Sequence, residues 1–468
     1  MIQFGTGGWR AVIADGFTKK NVQRLAQAVA VKMRRENETD FAIGYDRRFL
    51  SKESAVWASE VLAANGIAVR FLSKEAPTPL VMYVVKRDRL PYGMAVTASH
   101  NPAIYNGIKL FVRGGRDADE SVTQELEAIL AAQKDEEITA MPFADALESG
   151  QVTVIAPQND YLDSILDMVD IAAIRKKNLK VALDPMFGVS RTSLQTLLMT
   201  ARCDVDTIHE RRDTLFGGRL PSPNVDTLGA LTGFVLENGC DIGIATDGDA
   251  DRLGIIDNEG SFVHPNEILV LLYDYLLKYK GWVGPAVRNI ATTHLLDRVA
   301  QKYGQVCYEV PVGFKHISGK MAETDAIIGG ESSGGLTVRG HIRGKDGIYA
   351  AMLLVEMIAV SGRKLSELYQ EIADQLGACH TDENDFKFTP RRKEEIFNTL
   401  MTERKLPDFP VAVDRVSYLD GCKVYFQNGG WIIARFSGTE PLLRIFCEMP
   451  EKELASRCCA LMRDFLSL

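Results

Sequence analysis

The sequence predicts an α/β protein with three similar mixed α/β units followed by a smaller α+β domain. Short apolar runs, such as residues 41–45 and 241–246, end at an acidic residue and precede a helical stretch. This alternation is typical of largely parallel sheets, whose ligands bind beyond the carboxyl ends of the strands. Towards the carboxyl terminus, residues 423–427 and 431–436 flank Asn428-Gly429-Gly430 and indicate a β-hairpin.

Polar stretches predict where one domain ends and the next begins. Residues 133–148 are strongly charged, and residues 257–266 separate an aspartate-rich turn from an apolar helix. Residues 381–393 contain Asp382, Glu383, Asn384 and Asp385 and are expected to form a hinge loop. We therefore expect domains over residues 1–150, 151–258, 259–380 and 381–468.

Composition excludes several classes of protein. The 468 residues are 46% hydrophobic and 25% charged, which is ordinary for a globular protein. The longest apolar run, residues 348–355, is far shorter than the roughly 18 residues of a membrane span, and the amino terminus lacks a signal sequence, so a cytoplasmic location is expected. The net charge of −8 argues against a nucleic-acid partner, and eight cysteines without a C-x-x-C pair argue against zinc and disulfides.

The segment Thr97-Ala98-Ser99-His100-Asn101-Pro102 follows a predicted strand and continues to Tyr105-Asn106-Gly107-Ile108-Lys109. The Asn-Pro and Asn-Gly pairs favour tight turns, so Ser99 is expected on a loop. Beside His100 and Lys109, its hydroxyl could act as a nucleophile or phosphoryl carrier. A turn without catalytic function is the alternative.

A second segment alternates three carboxylates, those of Asp247, Asp249 and Asp251, directly after an apolar strand. Their oxygens can converge on one hard cation such as Mg²⁺, and like charges this close repel unless a cation neutralises them. An EF-hand is excluded because Arg252 stands at the sixth position and Asn258 at the twelfth. A solvated acidic turn is the remaining alternative.

A third segment, residues 329–335, contains G-x-S-x-G, which would make Ser332 a hydrolase nucleophile with Asp346 and His380 following in hydrolase order. That motif requires a helix after the serine, whereas residues 336–342 favour strand or loop. Glu331 and Ser333 fit better as hydrogen-bonding groups for a polyhydroxylated ligand. A serine hydrolase remains a remote alternative.

A fourth segment, residues 435–441, combines Arg435 with Ser437, Gly438 and Thr439, and Arg444 follows shortly after. Small residues leave backbone N–H groups free to cradle an anion, and arginine can add a bidentate contact, so the pattern indicates a phosphate clamp. A plain turn between two strands is the alternative.

In this order and at these distances, T-A-S-H-N-P, D-G-D-x-D-R, G-E-x-S-G and R-x-S-G-T-E-P resemble the α-D-phosphohexomutase family of phosphoglucomutases and phosphomannomutases. The resemblance implies four domains around a central active-site cleft, with a phosphoryl group on Ser99 and Mg²⁺ held by a phosphoserine oxygen and the three aspartates. It further implies that Glu331 and Ser333 contact sugar hydroxyls and that residues 435–439 bind the non-reacting phosphate. Charge-stabilising or proton-transferring groups are implied at Thr6, Arg10, Lys109, Arg252, Lys315 and Lys345.

The implied activity is that of an isomerase acting on hexose 1- and 6-phosphates through a hexose 1,6-bisphosphate, which also serves as activator. Gly335 stands where bifunctional enzymes commonly have histidine, so the sequence is more similar to phosphoglucomutases. A phosphomannomutase or bifunctional enzyme is the nearest alternative, and an amino-sugar mutase is less favoured. Ala250 replaces a glycine, which is acceptable if its φ is not positive. Either Lys109 or Lys345 is expected to be the general base. We also expect a monomer or dimer whose last domain moves about residues 381–393.

Overall fold

Four β-sheets follow one another along the chain in the computed structural model, which describes residues 2–5, 7–437 and 442–468 apart from the side chain of Glu137. The first three sheets each combine parallel and antiparallel pairs, and the fourth is antiparallel throughout. The predicted fold class is therefore confirmed. No helix among the described residues is long and apolar enough to cross a membrane.

The first sheet has the strand order β1-β5-β4-β2-β3-β7, with β6 paired to β5. Its strands are β1 (Trp9–Val12), β2 (Asp40–Tyr45), β3 (Ala68–Leu72), β4 (Tyr92–Val96), β5 (Tyr105–Val112), β6 (Arg116–Asp117) and β7 (Val152–Ile155). Its helices are α1 (Lys19–Arg35), α2 (Ser51–Ala64), α3 (Thr78–Arg87), α4 (Glu120–Ala132) and α5 (Phe143–Glu148).

The second sheet has the order β12-β11-β10-β8-β9. Its strands are β8 (Lys180–Asp184), β9 (Asp204–Thr207), β10 (Ile242–Thr246), β11 (Leu253–Asp257) and β12 (Phe262–Val263). The accompanying helices are α6 (Gln158–Leu166), α7 (Ile171–Lys177), α8 (Ser190–Thr200) and α9 (Gly229–Asn238).

The third sheet has the order β14-β13-β15-β16. Its strands are β13 (Ala286–Asn289), β14 (Cys307–Val310), β15 (Ile328–Gly330) and β16 (Leu336–Val338). Its helices are α10 (Pro265–Lys278), α11 (Leu295–Lys302), α12 (Phe314–Thr324), α13 (Gly347–Ser361) and α14 (Leu365–Leu376). Helix α13 is apolar around most of its circumference and almost wholly buried, because it packs between α10 and the helices α7 and α8 of the second sheet.

The fourth sheet has the order β17-β21-β20-β19-β18. Its strands are β17 (His380–Lys387), β18 (Val413–Ser417), β19 (Cys422–Phe426), β20 (Trp431–Phe436) and β21 (Leu442–Met449), with helices α15 (Pro390–Phe397) and α16 (Lys452–Phe465). Strands β19 and β20 form the hairpin that the Asn-Gly-Gly turn predicts.

The first three sheets share one arrangement that positions the site. In each, a parallel strand pair is followed by an antiparallel strand: β2 and β4 before β5, β8 and β10 before β11, and β13 and β15 before β16. The connection into the antiparallel strand carries Ser99, the three aspartates, or Glu331, respectively. Three separately predicted motifs therefore occupy equivalent places, each at the carboxyl end of a parallel strand.

Two predictions about polar segments need correction. Residues 152–155, expected to begin the second domain, form β7 and pair with β3, because Val152 is buried against the first sheet. The expected hinge loop at residues 381–393 is mostly strand β17, whose eight residues all pair with β21. An edge strand with one exposed face carries polar residues, so its sequence resembles that of a loop.

Candidate active site

Ser99 lies in the turn that joins β4 to β5, with a φ of +51°. A non-glycine residue in this left-handed region costs roughly 1–2 kcal/mol, so surrounding contacts must hold it there. The Ser99 N–H donates to Oγ1 of Thr97 at 2.9 Å. The Ser99 hydroxyl donates to Oδ2 of Asp247 at 2.6 Å. The predicted nucleophile therefore faces the predicted metal-binding turn.

Arg48, which no sequence pattern singles out, binds the backbone of this turn. The side chain is almost fully buried, and Asp46 lies 3.3 Å from its Nε. Its guanidinium donates to the carbonyl oxygens of four residues: Ser99 (2.5 Å), Asn101 (2.7 Å), Pro102 (3.0 Å) and Tyr105 (3.1 Å). Because the donors form a rigid fork, these contacts fix the shape of the turn. From one sequence alone, neither Arg47 nor Arg48 could be identified as the residue that binds the Ser99 turn.

The three aspartates form a buried carboxylate cluster whose oxygens lie within 4.8 Å of one another. Lys109 Nζ lies 2.6 Å from both Asp249 Oδ2 and Asp251 Oδ2. Burial opposes its charge, but the two carboxylates outweigh burial and raise the pKa of Lys109. Burial, together with the neighbouring carboxylates, raises the pKa of Asp247 to about 8.

This cluster fits a divalent cation. The Oδ1 atoms of Asp249 and Asp251 are buried and have no hydrogen-bond partner in the described part of the chain. Buried carboxylate oxygens without a hydrogen-bond partner are costly, and a bound cation would satisfy them. Oxygen ligands of this kind are those that Mg²⁺ prefers.

Ala250, inside the turn, has a φ of +61°, so the condition under which alanine replaces glycine here without strain is not met.

Basic side chains surround the Ser99 turn. Arg10 donates to Oδ1 of Asn101 at 2.5 Å, and Nδ1 of His100 lies 3.4 Å from the Ser99 hydroxyl. The positive charge of Arg252, followed by burial and the charge of Arg10, lowers the pKa of His100 well below its usual value. His100 is therefore neutral at physiological pH, and the arginines supply the positive charge.

Lys345 extends from the third unit towards the metal-binding turn. Its Nζ lies 3.2 Å from Asp251 Oδ2, and Nε of Arg252 lies 3.9 Å from Oδ1 of the same carboxylate. A Cβ atom placed on Gly335 would lie 2.1 Å from Cδ of Lys345. The absent side chain at residue 335 thus leaves the space that the Lys345 stem occupies.

Glu331 is held by groups from two neighbouring loops. Its Oε1 accepts from Nδ2 of Asn289 at 3.2 Å and from the Gly313 N–H at 3.3 Å, and its Oε2 accepts from the Ser333 hydroxyl at 3.4 Å. Asn289 ends β13 and also accepts from the Ala291 N–H, so it is fixed by its own turn. Asn289 was not predicted. It is the last residue of β13, and in the first sheet Asp46 directly follows the last residue of β2.

The serine hydrolase alternative finds no support in the geometry. Ser332 lies in a tight turn before strand β16, where the hydrolase motif requires a helix. Asp346 is bound to His341 at 2.6 Å and caps α13, and His380 begins β17 with an exposed side chain. These residues form no catalytic triad with Ser332.

The predicted phosphate clamp lies on the fourth sheet, where Arg435 of β20 faces Arg444 of β21. The Ser437 N–H donates to the carbonyl of Leu442 at 2.8 Å. The predicted residues Gly438 and Thr439 of the clamp, and Thr6, lie outside the described residues. Two neighbouring guanidinium groups can bind the oxygens of one phosphate, so the arrangement suits the predicted clamp.

A cleft of about 1040 Å³ connects these groups. All four units contribute to its lining, which includes Arg10, Lys109, Arg252, Glu331, Lys345 and Arg435. Lys315, predicted to bind substrate, instead donates to Oε1 of Glu120 at 2.6 Å and joins α12 to α4. The lining also includes His100 and Asp251, which adjoin Ser99 and the carboxylate cluster, so the cleft reaches the predicted nucleophile, cation site and arginine pair.

Sequence comparison agrees with this geometry. Domains I, II and III of phosphoglucomutase/phosphomannomutase, each described as alpha/beta/alpha, match residues 1–137, 159–260 and 264–376, and the family's C-terminal domain matches residues 397–465. A phosphoglucomutase/phosphomannomutase of Thermococcus kodakarensis is 30% identical over 99% of this chain and 97% of its own. A phosphoglucosamine/phosphogalactosamine mutase of Sulfurisphaera tokodaii is 28% identical over 97% and 96%.

Structural comparison leads to the same family. A solved Thermus thermophilus protein, provisionally described as a phosphomannomutase, superimposes with a TM-score of 0.87 at 29% identity, covering 100% of this chain and 99% of its own. The relatives thus differ in the sugar that their names give but share the whole four-domain length. The chain belongs to the phosphoglucomutase/phosphomannomutase family of phosphohexomutases.

Proposed function

We propose that the protein interconverts hexose 1-phosphate and hexose 6-phosphate, with α-D-glucose as the preferred sugar, through a phosphorylated Ser99 and a hexose 1,6-bisphosphate. The observation that carries the proposal is the Ser99 hydroxyl, which lies 2.6 Å from Asp247 within a cluster of buried carboxylates. A serine at this place can carry a phosphoryl group whose charge the cleft neutralises.

In the proposed transfer, the bond between Ser99 Oγ and phosphorus breaks while a new bond forms to a free sugar hydroxyl, whose proton passes to a base. Mg²⁺ held by Asp247, Asp249, Asp251 and a phosphoserine oxygen would neutralise charge on the transferred group. The Arg48 contacts would keep the Ser99 turn in place during both transfers, since they bind only its backbone. The bisphosphate would then turn over in the cleft and return its other phosphate to Ser99.

Of the two lysines considered as general base, the contacts favour Lys345. Lys109 is held between two carboxylates that keep it protonated, so we assign it the role of charge stabilisation. Among the described residues, Lys345 forms an ion pair with one carboxylate, that of Asp251, and it lines the cleft. It is therefore better placed to accept the proton of the attacking hydroxyl.

The preference for glucose rests on Gly335, whose place beside the sugar loop is filled by the Lys345 stem. A phosphomannomutase or a bifunctional enzyme is the nearest alternative. The names of the relatives give weight to the amino-sugar alternative, because the Sulfurisphaera tokodaii protein is a phosphoglucosamine/phosphogalactosamine mutase.

A parallel assay tests this proposal. The purified protein, with Mg²⁺ and a trace of glucose 1,6-bisphosphate, is offered glucose 1-phosphate, mannose 1-phosphate and glucosamine 1-phosphate, and its intact mass is measured. We expect a phosphate-sized mass increment that Ser99→Ala abolishes, together with the fastest conversion of the glucose compound. Faster conversion of another sugar would overturn the specificity, and full activity of Ser99→Ala would overturn the mechanism. Ser332→Ala tests the hydrolase alternative in the same preparation.

A further inference from the structure

A row of four charged side chains crosses one face of the fourth sheet. Arg444 pairs in register with Arg435 on one side and with Asp385 of β17 on the other. Nε of Arg444 lies 3.6 Å from Asp385, and Nε of Arg435 lies 2.9 Å from Oδ2 of Asp420. The row therefore reads Asp385, Arg444, Arg435, Asp420. Each arginine of the clamp has a carboxylate within the protein as its counter-ion.

Asp420 makes a second contact, which reaches the third unit. Its Oδ2 also accepts from the Val312 N–H at 2.8 Å. The next residue, Gly313, donates its N–H to Oε1 of Glu331 at 3.3 Å. One carboxylate oxygen thus touches both the arginine of the clamp and the loop that holds the sugar-binding carboxylate.

Gly421, next to Asp420, allows this turn to lie close to strand β20. Gly421 has a φ of +90°, and a Cβ there would lie 2.6 Å from the carbonyl oxygen of Ala434 and 3.0 Å from Cα of Arg435. Only glycine lets the backbone before β19 come this close to β20, which brings Asp420 against the guanidinium.

We infer that Asp420 is a positioning residue that competes with the substrate phosphate for Arg435 and links the clamp to the sugar loop; this inference rests on the proposed function. A bisphosphate that must turn over needs a clamp that releases it, and an internal carboxylate stabilises the released arginine. A bound phosphate also repels the Asp420 carboxylate, and this weakens the hydrogen bond that Asp420 accepts from the Val312 N–H. Occupation of the clamp is thereby transmitted towards Glu331.

Binding of inorganic phosphate, measured by calorimetry without turnover, tests the competition. Asp420→Asn removes the charge, and we expect phosphate to bind roughly three- to fivefold more tightly than to the wild type. Asp382→Asn is the matched control, because residue 382 lies on β17 three positions from Asp385 and therefore on the opposite face of the sheet. Equal gains in both variants, or no gain in Asp420→Asn, would overturn the inference.

A second pair of variants tests the link to the sugar loop. Asn at residue 420 keeps an oxygen that can accept from the Val312 N–H, whereas Asp420→Ala removes both charge and acceptor. We expect both variants to bind phosphate more tightly, but only Asp420→Ala to reduce the kcat/KM ratio between the preferred hexose phosphate and its epimer, by about fivefold. A merely structural role would not raise phosphate affinity while lowering sugar discrimination. Equal discrimination in the two variants would contradict the link.

The phosphate titration also separates this inference from the proposed function. Tighter phosphate binding by Asp420→Asn in a protein without mutase activity would support the competition and reject only the activity. Mutase activity of the wild type together with unchanged phosphate affinity in Asp420→Asn would support the proposed function and reject the competition.

Discussion

The Ser99 turn and the arginine pair of the fourth sheet are both proposed to bind phosphate groups, yet they are held in different ways. Ser99 is buried, and Arg48 anchors its turn through four backbone carbonyls. Arg435 is partly exposed and rests on the carboxylate of Asp420, which a phosphate can replace. The proposed phosphoryl carrier is thus fixed through its backbone, whereas the proposed phosphate-binding arginine is held by one ion pair.

The largest expected difference between the two regions follows from truncating their arginines. Arg48→Met leaves Asp46 buried without its partner and the turn carbonyls without donors, so we expect a loss of about 3–5 kcal/mol in the free energy of unfolding. Arg435→Met removes a partly exposed ion pair and should cost less than about 1 kcal/mol. Denaturant unfolding of the two variants measures the contrast.

A double variant shows whether the cost at Arg48 arises from its buried partner. Asp46→Asn with Arg48→Met should recover part of the lost stability, because no uncompensated charge remains. Recovered stability without recovered activity would match the anchoring of the Ser99 turn. Equal destabilisation by Arg48→Met and Arg435→Met would contradict the comparison itself.

A smaller effect is expected at Gly335, which lies between β15 and β16 of the third unit. A methyl group there collides with the stem of Lys345 and should move its amine away from Asp251. We expect Gly335→Ala to lower kcat by about 10- to 100-fold with little change in KM, which corresponds to about 1.4–2.7 kcal/mol in the barrier.

Two further variants identify the cause of that loss. Gly319→Ala, on helix α12 of the same unit, is the matched control, because a Cβ there meets no atom within 4 Å. In the background of Lys345→Ala, Gly335→Ala should add little, since the group it displaces is already absent. Additive losses would show that Gly335 acts on something other than Lys345.

At the boundary between the third and fourth units, a buried histidine is expected to make the free energy of unfolding depend on pH. His294 is largely buried, and its Nε2 lies 3.0 Å from Nζ of Lys423, which also donates to Glu309. Burial, followed by the charge of Arg288, lowers the pKa of His294 to about 3. As the pH falls, His294 is therefore protonated in the unfolded chain before it is protonated in the folded protein. The free energy of unfolding should decrease below about pH 6.5, by about 2 kcal/mol at pH 5.

His294→Gln tests this effect, because glutamine keeps a hydrogen-bonding amide and does not titrate. Denaturant unfolding at a series of pH values, followed by circular dichroism, measures the effect. We expect the wild type to lose about 2 kcal/mol more than the variant between pH 7.5 and pH 5. Parallel pH profiles would show that the histidine is not the titrating group.

The loops of the site were predictable because each motif is local, whereas the residues that hold them act over long distances. Ser99 and the three aspartates stand in short stretches whose residue types suffice to indicate chemistry. Arg48 reaches residues 51–57 positions away, and Asp420 reaches Val312 across 108. Such contacts depend on how segments distant in sequence pack within a unit or between units, which one sequence does not reveal. The hinge loop predicted at residues 381–393 was wrong for a related reason, since pairing with β21 makes residues 381–387 a strand.

The smallest expected effect concerns Ala250, the strained residue of the metal-binding turn. Replacing it by glycine removes a left-handed strain of roughly 1–2 kcal/mol. It also loses one buried methyl group, about 0.8 kcal/mol, and adds roughly 0.4–1 kcal/mol of unfolded-state entropy. The terms nearly cancel, so we expect Ala250→Gly to be within about 1 kcal/mol of the wild type.

Ala245→Gly, on the preceding strand β10, is the control for the stability change expected in Ala250→Gly. Ala245 is equally buried but is not among the residues with positive φ, so its replacement gains no relief of strain and should cost about 1.2–1.8 kcal/mol. Denaturant unfolding of both variants in the same buffer measures the difference. If the two cost the same, the turn is not strained at Ala250, and the rigidity of the phosphoryl-transfer region would have to come from Arg48 and the carboxylate cluster alone.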